Sequence, residues 1–129
     1  MDRSYSTSEV TKLAGITERK LQWWYEHRLV RCHRNGHGLR YSKTEAALAG
    51  VVAELRGKGM ALKEIRRLVP TIRSGIASCW KAGDKIVFAV LGETIGFHLS
   101  AEKAIARALE EKQVRVVDVG RILGRVNQE

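Results

Sequence analysis

Between Arg31 and Ser42 the chain reads RCHRNGHGLRYS. The stretch mixes metal-ligand types (Cys32, His33, His37) with anion-binding types (Arg31, Arg34, Arg40). A zinc site wants four ligands, commonly arranged as spaced pairs. Cys32 and His33 are adjacent, so a strand would point them to opposite faces. No fourth ligand is in sight, and neither metal nor cofactor is expected. Catalysis finds no better support: no Ser-His-Asp or Cys-His arrangement and no glycine-rich phosphate loop occurs. Glu93, Glu102 and Asp118 fall at a turn, a helix start and a strand end. What is left is a basic loop suited to an anionic partner, in a protein that is not an enzyme.

The charge distribution agrees. The 129 residues carry a net charge of +9 with a pI of about 10.0, a balance suited to nucleic acid. Residues 1–69 hold 14 Lys+Arg against 7 Asp+Glu, so the first half supplies +7 and is where the anion should bind. With 44% hydrophobic and 29% charged residues the chain is globular, not disordered. Two cysteines are too few for a disulfide framework. The first 20 residues have no apolar signal core, and no run of 18 apolar residues could span a membrane. The expectation is a soluble cytoplasmic protein with no membrane partner.

Positioning the basic loop requires helices around it, and their starts are legible. Ser6 and Glu9 form a capping box, flanked by Tyr5 and Val10 as a hydrophobic staple. Val10, Leu13 and Ala14 share a face, and Gly15 ends the helix. Thr17 caps a second helix with Ile16 and Leu21 as staple, and Leu21 and Trp24 on one face. Two helices joined by a glycine turn are a helix-turn-helix. Asn35-Gly36 is a two-residue hairpin signal, which predicts a wing over residues 31–41. Ser42 and Glu45 form a second capping box and start a third, apolar helix to about Arg56. Gly57-Lys58-Gly59 breaks it. Leu62, Ile65, Arg66 and Val69 predict a short fourth helix that Pro70 closes.

The second half reads differently. Residues 71–79 are a linker or short helix. Lys85 to Leu91 and Thr94 to Leu99 predict a hairpin turning at Gly92-Glu93. Ser100 caps a helix with Ala101, Ala104, Ile105, Ala108 and Leu109 on one face. Val114 to Val119 is a third strand, and Ile122, Leu123 and Val126 suggest a final helical turn. The fold class is therefore α+β: residues 1–70 a winged helix-turn-helix of four helices, residues 80–129 a small ββαβ unit. That unit is too small to be very stable alone, so it should pack on the first half or on a second copy.

With these elements placed, YSTSEVTKLAGITERKLQWWYEHRLVRCHRNGHGLRYSKTEA and GKGMALKEI (residues 5–46 and 57–65) resemble the MerR family of winged helix-turn-helix transcription regulators. The resemblance covers roughly residues 5–69. It departs at the Trp23-Trp24 pair, usually tyrosines, at Tyr25 where an acid is usual, at Arg28 where glycine usually ends the helix, and at Ala61 in place of a Ser or Thr cap. After Pro70 no sustained apolar heptad continues into the family's long dimerisation helix.

The resemblance implies that helix two enters the major groove, with Thr17, Arg19, Lys20, Gln22 and Trp23 near bases or phosphates. Trp24 joins them, although its register with Leu21 also fits a core position. Arg19 suits guanine and Gln22 adenine. Arg31, Arg34, Asn35, His37, Arg40 and Tyr41 would set the wing on phosphates or in the minor groove, with Lys12 and Lys58 at helix ends. The reading is a prokaryotic transcription regulator binding double-stranded DNA as a homodimer formed through residues 80–129. Its rival is a DNA-binding antitoxin or phage-type regulator whose second half grips a protein partner. A non-DNA adaptor and an enzyme stand further off.

Overall fold

The computed structural model describes residues 4–36, 38–81, 88–91, 95–98 and 115–128. The order is β1 (Ser4–Ser6), α1 (Thr7–Ala14), α2 (Glu18–Glu26), β2 (His33–Asn35), β3 (Gly38–Ser42), α3 (Lys43–Gly57) and α4 (Leu62–Lys81). Then follow β4 (Phe88–Leu91), β5 (Ile95–His98), β6 (Arg115–Asp118) and α5 (Val119–Gln128). The helix expected from Ser100 lies outside the described residues.

Local chemistry sets the first helices as the sequence leads one to expect. The Glu9 amide donates to Ser6 Oγ at 3.1 Å, and the Ser6 amide donates to Glu9 Oε1 at 3.0 Å. Gly15 takes a left-handed φ of 68°. There its amide and that of Ile16 both donate to the Thr11 carbonyl, satisfying the orphan acceptor at the helix end. Thr17 Oγ1 accepts the Lys20 amide at 3.1 Å and starts α2. At the far end of α2, Arg28 does what glycine would do. Its φ is 62°, its amide donates to Tyr25 O and the Leu29 amide to Trp24 O. A side chain in this region costs about 1–2 kcal/mol, a strain held in place by buried Leu29 and Val30 just beyond.

Among the described residues two three-stranded antiparallel sheets are present, ordered β1-β3-β2 and β5-β4-β6. In the first, Tyr5 faces Tyr41 across β1 and β3. The wing hairpin pairs Asn35 with Gly38, so Asn35 belongs to the ladder and not to the turn. This corrects the expectation of a turn centred on Asn35-Gly36. Such a turn needs positive φ at both residues, whereas the positive φ sits at Gly38, 108°.

Pro70 does not end a helix, a second correction. It lies inside α4, which runs on to Lys81. Ile65, Val69, Ile72 and Ile76 are all buried, so one apolar stripe continues across the proline. Pro70 itself is exposed, where water can meet the carbonyl its missing N–H leaves unpaired.

The core is centred on α3, whose Ala46 to Ala49, Val51, Val52 and Leu55 are nearly solvent-free. Helix α5 returns from the end of the chain to pack on α3. Val119, Ile122, Leu123 and Val126 are buried there, and the buried Tyr5 hydroxyl donates to the Val126 carbonyl at 3.0 Å. Burial of such side chains is worth about 1.5–3 kcal/mol each. The exposed Arg121–Glu54 ion pair on the same seam is worth at most about 1 kcal/mol, so apolar contact is what docks α5. The final turn expected from Ile122, Leu123 and Val126 is thus a ten-residue helix joined to the first half's core.

Gly50 permits that docking. A Cβ built there would stand 2.6 Å from Ile122 Cγ2. In an exposed helix interior Gly→Ala stabilises by about 1 kcal/mol. With α5 docked, Gly50→Ala should instead destabilise by about 1–3 kcal/mol through overpacking. The sign of the change in a urea midpoint decides between the two.

Candidate nucleic-acid interface

Helix α2 buries Leu21 and Trp24 and turns Glu18, Arg19, Lys20, Gln22, Trp23, Tyr25 and Glu26 to solvent. Helix α1 packs against α2, and Leu21 and Trp24 belong to one buried core with Val10, Leu13, Leu48 and Leu55. The solvent face of α2 borders two clefts. One, of about 390 Å³, separates α2 from the wing and brings Gln22, Tyr25 and Glu26 opposite Arg34 and Leu39. The other, of about 340 Å³, brings Thr17, Arg19, Lys20 and Trp23 beside Arg56 and Leu62. Arg19, Lys20 and Arg34 are exposed and have no carboxylate partner among the described residues. They are free cations for an anionic ligand.

Trp23 is 42% exposed. Its ring stacks on His27, centroids 3.7 Å apart and planes 18° from parallel. This pair forms one wall of a smaller pocket with Leu29, Leu62, Lys63 and Arg66. The Arg66 guanidinium donates to the His27 carbonyl at 2.6 Å, capping the end of α2. Arg56, Lys63, Arg66 and Tyr25 escaped sequence reasoning. Lys63 and Arg66 are three apart and follow the apolar Leu62, a spacing that puts them on one helix face and was the available signal. Gln22 is not idle: its Nε2 donates to Glu26 Oε1 at 3.0 Å, a bond it must exchange to reach a base edge.

Two residues expected at the interface are core residues. Trp24 is 2% and Tyr41 1% exposed; each lies on the inward face of its element, where a large ring contributes most by leaving water. Arg40 is also otherwise engaged. Its Nε donates to Ser4 Oγ at 3.0 Å and its Nη2 to the Ser4 carbonyl at 2.9 Å, so it clips β1 to the wing. Arg31, Arg34 and Asn35 are exposed as expected, as are Lys12 at the last turn of α1 and Lys58 after α3. His37 lies outside the described residues. Among the described residues no group of three metal-ligand types converges. Cys32 is partly buried, and its thiol is pushed up from its usual pKa, chiefly by burial. No helix among the described residues is long and apolar enough to cross a membrane.

Glu45 is the buried charge of this region, 6% exposed. Its Oε1 accepts the Arg31 amide at 2.6 Å, and Arg73 of α4 donates to both of its oxygens at 2.7 and 3.0 Å. Half of the expected capping box is therefore present. Ser42 Oγ accepts the Glu45 amide at 3.2 Å, but the carboxylate faces the wing and α4.

Residues 5–72, just over half of the chain, match the family model described as MerR HTH family regulatory protein. The chain belongs to the MerR family. As a member it is a helix-turn-helix, DNA-binding regulator of transcription. No curated protein matches. Among solved structures it is similar to HiNmlR, described as a MerR family regulator lacking the sensor domain, bound to promoter DNA. The identity is 18%, over 62% of this chain and 74% of that one, with a TM-score of 0.49.

Two outcomes test the geometry around the wing base. Glu45→Gln leaves the Arg73 charge buried without its partner, so it should cost about 3–5 kcal/mol in urea unfolding. Adding Arg73→Met should recover part of the loss; a single-variant loss under about 1 kcal/mol would refute the buried pair. Tyr41 is pushed up to about 12, first by burial and then by Cys32, against about 10 in an unfolded chain. Stability from this group is fully present below about pH 10 and lost as pH rises toward about 12. Tyr41→Phe should flatten that part of the alkaline unfolding curve; an unchanged curve counts against it.

Proposed function

We propose that the chain binds duplex DNA with α2 in the major groove and the β2–β3 wing along the adjoining backbone or minor groove. One observation carries the reading. The solvent face of α2 presents Arg19, Lys20 and Trp23, all exposed, along one cleft, and a second cleft, lined on α2 by Glu18, Gln22, Tyr25 and Glu26, opens onto Arg34 of the wing. Arg19 has the fork to read guanine, and Lys20 and Arg34 are suited to phosphates. Trp23, fixed by its stack on His27, offers an indole N–H where a phosphate or base edge can accept it.

The working state is a homodimer formed through residues 80–129. Among the described residues the order β5-β4-β6 leaves β5 and β6 as edge strands, and edges are where a second copy adds most readily. Helix α5 remains with the DNA-binding core, so the dimerising part is the sheet and not everything after Pro70.

Fluorescence anisotropy on random-sequence duplexes, followed by selection of bound sites, tests this. Arg19→Ala should weaken binding to a selected site by about 1–3 kcal/mol and relax one base position. Arg34→Ala should weaken all sequences alike and lower the salt slope by about 1. No binding at low salt, or no effect of Arg19→Ala and Arg34→Ala combined, would overturn the DNA reading. A selected site with a single half-site, together with a monomer in sedimentation, would overturn the dimer.

A further inference from the structure

The cleft at the start of α2 does not end at Trp23. It shares Lys20, Trp24 and Arg56 with a second cavity of about 280 Å³ over the Ala14-Gly15 turn. That cavity shares Ala14, Ala53 and Gly57 with a third of about 370 Å³, which Lys58 and Arg125 border. The three form one groove along the ends of α1 and α3. Its cations are Arg19, Lys20, Arg56, Lys58 and Arg125, all exposed. Its one carboxylate, Glu54, is held by Arg121. Arg125 has no carboxylate partner among the described residues, and it comes from α5, far along the chain from the helix-turn-helix.

An open groove lined by a run of exposed cations, of which Arg56 also donates from Nη1 to the Met60 carbonyl at 3.0 Å, suits a polyanion better than a single small ion. DNA carries one phosphate per about 3.4 Å on each strand, so several cations in line can each meet one. Glycine and alanine at the floor (Gly15, Gly57, Ala14, Ala53) leave room for a sugar-phosphate chain to come close. We propose that this groove seats the DNA backbone flanking the segment gripped by α2, and that Arg125 of α5 is its outermost phosphate contact. The inference rests on the DNA reading above. It makes the end of the chain part of the DNA-binding surface, so that α5 docking and DNA affinity are linked.

The test uses the full chain and a random-sequence duplex, with anisotropy measured across a salt series. Arg125→Gln removes one groove cation, Arg67→Gln removes one exposed α4 cation that lines no part of the groove, and Arg19→Ala reports on α2. Arg125 is exposed, so thermal melts should be unchanged. Arg125→Gln is expected to lower affinity several-fold at moderate salt and to reduce the log–log salt slope by about 0.9, with Arg67→Gln close to the parent chain. If Arg19→Ala weakens binding while Arg125→Gln matches the parent or merely equals Arg67→Gln, the groove proposal is overturned and the DNA reading stands. If the parent chain does not bind, or Arg19→Ala changes nothing, both fall.

Discussion

Glu45 is a charge almost out of water, and three separated parts of the chain meet on it. It belongs to the first turn of α3, accepts the amide of Arg31 at the base of the wing, and pairs with Arg73 on α4 beyond Pro70. A buried ion that loses its partner is strongly destabilising, although the intact pair need not add net stability over an apolar core. The constraint is therefore one of geometry. Wing base, α3 and α4 can be arranged in only one way that leaves neither charge unpaired. The wing that carries Arg34 inherits its position relative to α2 from this node, reinforced by the Arg40–Ser4 clip at its far strand.

Around that node the interface is built by subtraction. Leu21 and Trp24 go inward, which fixes the rotation of α2 and leaves Arg19, Lys20 and Trp23 outward. Tyr41 goes inward from β3. Arg28 in a left-handed conformation and Arg66 on the His27 carbonyl both finish α2. The exposed end of α2 is held by residues whose charge also adds to the basic face.

Much of the first half was legible because its determinants are neighbours in sequence. The Ser6–Glu9 box, the Gly15 turn, the Thr17 cap and the Ser42 cap each join residues no more than five apart, so composition and spacing suffice. Legibility failed where a residue had two plausible local roles and a distant partner chose between them. Glu45 could have closed its capping box, but Arg73, 28 residues on, took the carboxylate. Arg40 could have faced phosphates, but Ser4, 36 residues back, took its guanidinium. Pro70 reads as a helix stop. It is tolerated because Ile65, Val69, Ile72 and Ile76 have a continuous core to enter, outweighing one lost hydrogen bond.

By itself the sequence determined the helix-turn-helix and the basic character of its first half. These follow from capping chemistry, apolar periodicity and charge, all short-range or additive. Only the tertiary structure decided that Trp24 and Tyr41 are core and that Asn35 belongs to the ladder of the wing and not to its turn. It alone brought the last helix back to seal α3 through Tyr5 and Val126, 121 residues apart. Such choices depend on which surfaces lose water together, and no spacing along the chain encodes that.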